Sequence, residues 1–226
     1  VGGLVGAALA APRRFSPGGV RDHVLGFSAI NGRGEAFKAG GKVVKNVTGY
    51  DLPKLMAGSW GRLAVFTELT VKVLPRPPIV RTLGMHGLSG RAALAAMTLA
   101  MRSQAEVAAA SHLQSLDGRP SLTTIRIEGF GPSVDAREKM LRQILKDIAG
   151  VAILEQQEAA THWAGIQSAT LIPAGVGTVL WRISIPPAQG ANVLLGVGTL
   201  NGAGLLDWAG GLCWARMPAD VSTGFI

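Results

Sequence analysis

The feature that most constrains this chain is a segment punctuated by glycines, which runs from position 40 to position 69. Five glycines fall within 22 residues, at positions 40, 41, 49, 58 and 61. This spacing predicts a backbone that turns often and that another surface can approach closely. Asp51 is a suitable N-cap for a short helix over residues 52–57, with Pro53 in its first turn. The apolar, β-branched residues 63–74 then predict a buried strand. A rigid strand would hold the glycine loop so that backbone N–H groups face a ligand.

The residues before this segment contain a second group of glycines and a predicted hairpin. Gly2, Gly3 and Gly6 lie within an apolar stretch. Such a cluster is typical of a ligand-contacting loop and equally of a tight turn. Arg21 and Asp22 precede a predicted strand over residues 24–30, which Asn31-Gly32 turns back into residues 35–37. Arg21 suits an ion pair with Asp22 as well as a contact with a ligand.

The sequence Pro75-Arg76-Pro77-Pro78 interrupts any regular element and predicts a domain boundary. We therefore expect one domain over residues 1–78 and another over residues 79–226. Periodicity in the second domain predicts strands over residues 79–86, 123–127, 151–154, 176–185, 205–208 and 211–215, and helices over residues 91–110, 134–148, 159–169 and 191–200. This order of strands and helices is typical of a ferredoxin-like α/β sandwich. No internal repeat is visible in the sequence.

Composition indicates a folded protein and weighs against nucleic acid as a partner. Hydrophobic residues make up 48% of the chain and charged residues 16%, which argues against disorder. The net charge is +8 at pH 7, but lysine and arginine are scattered and only one tyrosine is present for base stacking. A dinucleotide with a pyrophosphate is also an anion, so the charge agrees with a dinucleotide ligand as well.

Cysteine and histidine usage excludes several kinds of chemistry. Cys213 is the single cysteine, so neither an intrachain disulfide nor an iron–sulfur cluster can be built, and its apolar context predicts burial. The four histidines have no metal-ligand spacing, and no metal site is predicted. The apolar residues 1–11 are too few to cross a bilayer, so we expect no integral membrane segment.

The glycine-punctuated segment also resembles a known family. The matching residues are Lys45-Asn46-x-x-Gly49-Tyr50-Asp51-Leu52, Met56-x-Gly58-Ser59-x-Gly61, Val65-x-Thr67-Glu68, Lys72-Val73-Leu74-Pro75 and, upstream, Gly2-Gly3, Gly6 and Arg21-Asp22. Over roughly residues 1–78 they resemble the FAD-binding flavoproteins of the vanillyl-alcohol-oxidase or PCMH type, and among these the FAD-binding subunits of bacterial glycolate oxidase. Without this resemblance, Lys45 and Asn46 would be interpreted as a solvated lysine and a turn asparagine.

The resemblance implies a fold, a cofactor and partners. It implies an α+β protein: the C-terminal half of a PCMH-type FAD-binding domain, with a mixed or antiparallel sheet and helices, followed by a ferredoxin-like α/β cap domain. FAD would accept a hydride equivalent from a small 2-hydroxy acid, and the electrons would pass to other glycolate oxidase subunits, including an iron–sulfur subunit. The protein would be cytoplasmic, with membrane association through partner subunits.

The resemblance also implies which residues contact the cofactor. Gly2, Gly3 and Gly6 would lie near the flavin or its phosphates. The middle loop would be formed by Lys45, Asn46, Gly49 and Tyr50, and further cofactor contacts would come from Arg21, Asp22, Gly61, Val65 and Thr67. No catalytic base is assigned.

The sequence departs from the family in three respects. We expect this chain to lack the N-terminal FAD subdomain, with its pyrophosphate-binding glycine loop, and we expect the cap domain to be truncated at its C-terminus. A His-x-Gly-Asp-Gly-x-x-His segment found in related 2-hydroxy-acid dehydrogenases is missing as well. We therefore expect weak or absent FAD binding by this chain alone. The alternative function is a cofactor-free fragment or interaction module that keeps the fold and binds partner subunits, and a basic nucleic-acid-binding surface is a third hypothesis.

Overall fold

The computed structural model describes residues 1–45, 49–173 and 175–221. The chain folds into two compact units, Val1–Arg76 and Pro77–Ile226. Among the described residues, no helix has both the length and the apolar character that crossing a membrane requires.

The first unit is built on a small antiparallel sheet with strand order β2-β1-β3. Its elements are α1 (Gly2–Gly6), α2 (Val20–His23), β1 (Val24–Asn31), β2 (Ala36–Gly40), α3 (Leu52–Met56) and β3 (Ala64–Val71). Phe27 on the central strand contacts Phe37 and Phe66 edge-to-face, with ring centroids 5.5 and 5.7 Å apart. Met56 from α3 packs into the same cluster, so the short helix is held against the sheet by apolar burial.

Several predictions for this unit are confirmed and two are wrong. The Asp51 side chain accepts a hydrogen bond from the backbone N–H of Lys54 and caps α3, as expected. The strand after the glycine turn is present, but of β3 only Ala64 is buried, because β3 is an edge strand of a three-stranded sheet. The glycines at positions 2, 3 and 6 form a one-turn helix rather than a loop.

The second unit contains a seven-stranded sheet with strand order β7-β4-β6-β5-β9-β10-β8, in which all neighbouring strands are antiparallel. Its elements are β4 (Ile79–His86), α4 (Gly90–Arg102), β5 (Ala109–Leu113), β6 (Leu122–Gly129), α5 (Gly131–Leu145), β7 (Ala152–Ile153), α6 (Gln156–Ser168), β8 (Thr178–Ser184), α7 (Gly190–Thr199), β9 (Ala203–Asp207) and β10 (Leu212–Pro218). The predicted α+β class, with antiparallel sheets and helices, is confirmed.

Six of the seven strands form two copies of one βαββ motif, which the sequence did not show. The first copy is β4-α4-β5-β6 and the second is β8-α7-β9-β10, and in each the third strand lies between the other two. The copies meet where β5 pairs with β9, through His112 opposite Leu206 and Leu113 opposite Leu205. With α5 and β7 added, the first copy has the strand order of the predicted ferredoxin-like sandwich.

Helices cover both faces of this sheet. On one face α4, α5 and α7 bury a large cluster that includes Met97, Leu141 and Val197. On the other face α6 packs Trp163 and Ile166 against β5 and β9. The indole N–H of Trp163 donates to the Thr82 hydroxyl at 2.9 Å, so the only polar atom of that ring is paired.

One strand was predicted as helix. The alanine-rich run predicted a helix over residues 91–110, but α4 ends at Arg102 and β5 begins at Ala109. The Ser103 hydroxyl donates to the carbonyl of Ala100 and accepts from the N–H of Ala105, which closes the helix. Strand β5 is buried on both faces, and small side chains fit between the two layers of helices despite their helical propensity.

The core assignment predicts a sharp contrast between two leucine substitutions. Leu141→Ala should lower the free energy of unfolding by about 2–5 kcal/mol, because Leu141 is fully buried and its loss leaves a cavity. Leu99 on α4 is 45% exposed, so Leu99→Ala should change the free energy of unfolding by less than about 0.5 kcal/mol. Urea denaturation followed by circular dichroism measures both, and equal effects would contradict the packing described.

Candidate functional site

A pocket in the first unit brings together residues from the start of the chain and from the glycine turn. It has a volume of about 460 Å³ and is lined by Gly2, Gly3, Gly6, Ala7, Trp60, Gly61, Ala64, Val65 and Phe66. Five of the residues implied as cofactor contacts therefore lie in one pocket: Gly2, Gly3, Gly6, Gly61 and Val65. Helix α1 forms one wall, and the turn that leads into β3 forms the other.

Two backbone hydrogen bonds hold these walls together. The N–H of Gly58 donates to the carbonyl of Val5 at 3.0 Å, and the N–H of Trp60 donates to the carbonyl of Gly6 at 2.9 Å. The turn needs left-handed backbone at Gly58, Trp60 and Gly61, with φ of 87°, 54° and 73°. Such a conformation costs a tryptophan on the order of 1 kcal/mol, so the hydrogen bond to Gly6 keeps Trp60 in a strained geometry.

The glycines of α1 are not explained by the packing of the chain itself. A methyl group built at Gly2, Gly3 or Gly6 would meet no atom within 4 Å, and none of the three has left-handed backbone. Alanine would therefore fit, and it would favour a helix by about 0.5–1 kcal/mol per residue. The absence of side chains instead leaves the helix wall open to close approach by a ligand. Gly61 differs, because its positive φ favours glycine in any case.

The lining of this pocket is apolar. Trp60 and Val65 are 72% and 67% exposed, Phe66 is partly buried and Ala64 is buried. None of the lining side chains is ionisable, so polar contacts would come mainly from backbone N–H and C=O groups. This surface fits a planar heteroaromatic ring such as that of a flavin. It supplies no charge for a pyrophosphate.

Three other predicted residues lie around a second, smaller pocket of the same unit. This pocket of about 120 Å³ is lined in part by Asp22, Gly49 and Tyr50, together with Lys54 and Lys72. The Tyr50 side chain is 94% exposed. Asp22 and Asp51 line the same pocket, and the Lys54 ammonium lies 2.9 Å from the Asp51 carboxylate, so the lining is charged but balanced, in contrast to the apolar pocket beside α1.

Of the other predicted residues that the structure describes, Arg21, Lys45 and Thr67 do not line either pocket. The Arg21 Nε–H donates to the carbonyl of Lys54 at 3.1 Å, and the Asp22 carboxylate accepts from the N–H of Gly19 at 2.8 Å, so both also fix local structure. Lys45 is exposed. Thr67 is exposed at the point where the pairing of β1 with β3 shifts by one residue. Asn46 lies outside the described residues.

The sequence analysis missed Trp60 and Phe66 as lining residues. The position of Trp60 between the glycines at positions 58 and 61 could have indicated that it lies in the turn beside the pocket. Phe66 resembles an ordinary strand residue, and its place in the pocket depends on the register of β3 against β1.

The strongly shifted titratable groups belong to the second unit and are shifted by burial. Desolvation lowers the pKa of His112 and of His162 to about 4. Burial raises the pKa of Asp207 to about 7 and that of the Cys213 thiol to about 12. Cys213 is a buried free thiol, as predicted. Within the described part of the chain, no group of three or more His, Cys, Asp or Glu side chains could hold a metal ion.

Several known proteins are similar to this chain in sequence or in fold. No family model matches the chain. The chain is 37% identical over 188 residues to the glycolate oxidase subunit GlcE of Escherichia coli. This aligned region covers 82% of this chain and 47% of that protein. It is 45% identical over 76 residues to the uncharacterized FAD-linked oxidoreductase Rv2280 of Mycobacterium tuberculosis, covering 34% of this chain and 17% of that protein.

Solved structures show the same fold at low sequence identity. An alkyldihydroxyacetonephosphate synthase superposes with a TM-score of 0.67 at 15% identity, covering 97% of this chain and 50% of that one. Substrate-bound p-cresol methylhydroxylase superposes with a TM-score of 0.62 at 10% identity. The superposition covers 96% of this chain and 54% of that one.

The resemblance predicted from the sequence is therefore confirmed: this chain is related to FAD-linked oxidoreductases and has the fold of the p-cresol methylhydroxylase type. One relative, the glycolate oxidase subunit GlcE, is similar to this chain over 82% of the chain's length. The chain spans about half the length of that relative.

The buried groups of the second unit predict how stability depends on pH. The folded-state pKa values of His112 and His162 lie below 6.5, so only the unfolded chain takes up these two protons as the pH falls from about 6.5 to 4, and stability is lost. Asp207 acts oppositely, because its raised pKa lets the folded state bind a proton from about pH 7 downward. Because the two histidines outweigh Asp207, the free energy of unfolding should fall by a net amount on the order of 2 kcal/mol between pH 6.5 and 4. Urea denaturation at several pH values measures this change.

Asp207→Asn separates the two contributions. The amide keeps an acceptor for the N–H of Trp208, which lies 2.7 Å from Asp207 Oδ1, but it cannot titrate. This variant should be more stable than the parent at pH 7.5 and should lose stability more steeply toward pH 4. An unchanged pH profile would contradict the assignment of a raised pKa to Asp207.

Proposed function

We propose that this chain forms part of the FAD-binding subunit of an enzyme complex that oxidises glycolate or another small 2-hydroxy acid. The observation that carries this proposal is the pocket beside α1, where five residues implied by the family resemblance meet around glycines that the chain's own packing does not require. The similarity to a glycolate oxidase subunit supports the substrate class.

In this proposal the chain binds and orients the flavin. The glycines at positions 2, 3 and 6 let the ring approach α1, and the turn from Gly58 to Gly61 presents backbone groups. Trp60 and Val65 cover the apolar ring surface and exclude water. FAD, when bound, supplies the acceptor for the hydride equivalent that leaves the 2-hydroxy acid.

The remaining predicted contacts complete the proposed site. Lys45, Asn46, Gly49 and Tyr50 form the middle loop, and Thr67, Arg21 and Asp22 lie on elements that carry it. At the smaller pocket, Lys54 is paired with Asp51, so Lys72 is the lysine that would meet a polar part of the cofactor there. In the same proposal, residues 1–78 form the flavin-binding part and residues 79–226 the cap that faces substrate or partner.

The proposed partners are other subunits of a glycolate oxidase, including an iron–sulfur subunit that receives the electrons. The name of the relative as a subunit supports an assembly of several chains. We propose a cytoplasmic location, with attachment to a membrane through those partners.

A second candidate function is a cofactor-free module that binds partner subunits. Exposed apolar side chains of the first unit favour it, since Tyr50, Trp60, Val44 and Val73 are all mostly exposed. Large apolar side chains exposed together indicate a surface that another molecule covers. The glycines of α1 distinguish the two functions, because a flavin ring needs close approach to the helix and a protein partner need not.

Gly3→Ala tests the leading proposal. The added methyl group enters open space on α1, so the variant should be as stable as the parent or more stable by up to about 1 kcal/mol. The parent is expected to bind FAD weakly, and the variant should weaken that binding at least a further tenfold because the methyl group blocks approach of the ring. Flavin fluorescence quenching measures the affinity, and thermal denaturation measures the stability.

Gly32→Ala is the matched control. Gly32 lies in the turn between β1 and β2, away from the pocket, and a methyl group there also meets no atom within 4 Å. This variant should bind FAD as the parent does. Equal FAD affinity of the parent and both variants would contradict flavin binding at α1, and no FAD binding by the parent would favour the cofactor-free module.

A further inference from the structure

We propose that the second unit carries a separate binding site for a small organic acid, with the carboxylate beside Arg91 and His112 and an apolar body against α7. The site is a pocket of about 880 Å³ between the N-terminus of α4, the end of β5 and helix α7. It belongs to the second unit alone and does not depend on the proposed flavin site.

His112 shows that this pocket has an unmet polar group. The side chain is only 1% exposed, yet it lines the pocket. Its Nδ1 is paired with the Thr123 hydroxyl at 2.9 Å, which leaves Nε2 as the ring nitrogen without a partner among the described residues. With the Thr123 hydroxyl donating to Nδ1, Nε2 carries the ring proton, and a ligand oxygen in the pocket would accept a hydrogen bond from it.

The charge of the pocket selects an anion. Arg91 is its single charged lining residue, and no aspartate or glutamate lines it. Arg91 has no ion-pair partner among the residues that the structure describes, and it lies in the first turn of α4, where the helix dipole disfavours a cation. The Ser89 hydroxyl caps the N–H of Ala92, while the backbone N–H groups of Gly90 and Arg91 remain for an anion at the N-terminus of this 13-residue helix.

The rest of the lining explains why an organic acid fits better than a bare inorganic anion. Leu194 and Leu195 of α7 and Leu88 before α4 form an apolar wall. Leu195 is 68% exposed and would be covered by the apolar body of a ligand. The combination of one cationic end and one apolar wall matches a carboxylate carried on a hydrocarbon group.

Two probes that differ only in charge test the proposal: 3-phenylpropionate and its amide, 3-phenylpropionamide. Each is titrated into the purified chain and followed by NMR of the histidine ring protons and the backbone amides. The acid should shift the ring signals of His112 and the amides of residues 89–92. The amide should bind at least about tenfold more weakly, because it cannot form the charge-assisted contact with Arg91.

Two exposed arginines at opposite ends of α4 provide matched variants. Arg91→Gln should reduce the affinity for 3-phenylpropionate about tenfold while leaving the fold and melting temperature intact. Arg102→Gln, at the C-terminal end of the same helix, should leave that affinity unchanged. A purely structural role for Arg91 would not produce this difference.

Three results would overturn the proposal. These are no binding of 3-phenylpropionate at millimolar concentration, equal binding of the acid and the amide, or shifts confined to residues outside the pocket. None of them would affect the proposed flavin site, because that site lies in the first unit and is measured with FAD.

Discussion

The candidate site depends on two backbone hydrogen bonds that connect the start of the chain to a turn more than fifty residues later. The N–H groups of Gly58 and Trp60 donate to the carbonyls of Val5 and Gly6, and they hold α1 beside the first residue of β3. Without them, the glycines of α1 and the residues Gly61 and Val65 would share no pocket. The strained backbone of Trp60 agrees with this account, since such a conformation persists only where the surrounding structure fixes it.

The second unit is held together by burial of both faces of its sheet. Strand β5 lies at the junction of the two βαββ motifs and is buried between helices, and its histidine therefore loses access to water. The same burial shifts the pKa values of His112, His162 and Asp207. The pH dependence of folding stability therefore follows from the way the two motifs join. The same junction leaves the Nε2 atom of His112 facing the pocket beside α4.

Much of this could be predicted from the sequence, because local signals decide local structure. Asp51 as a cap, the strand at β4 and the amphipathic helix α5 follow from short-range patterns. Strand β5 was missed because its alanines favour a helix locally, and only burial between two layers makes them a strand. The low burial of β3, the repeated motif and the lining role of Phe66 depend on which strands become neighbours, and the sequence does not show this directly.

The most direct test of the central claim is backbone hydrogen exchange of the purified chain with and without FAD. The account predicts slower exchange on addition of FAD at residues 3–8 and 58–66, where α1 and the turn meet, and little change at residues 109–113 in the second unit. Protection at 3–8 and 58–66 would show that the flavin occupies the pocket beside α1. Unchanged exchange in both segments at saturating FAD would contradict the claim that this pocket binds the cofactor.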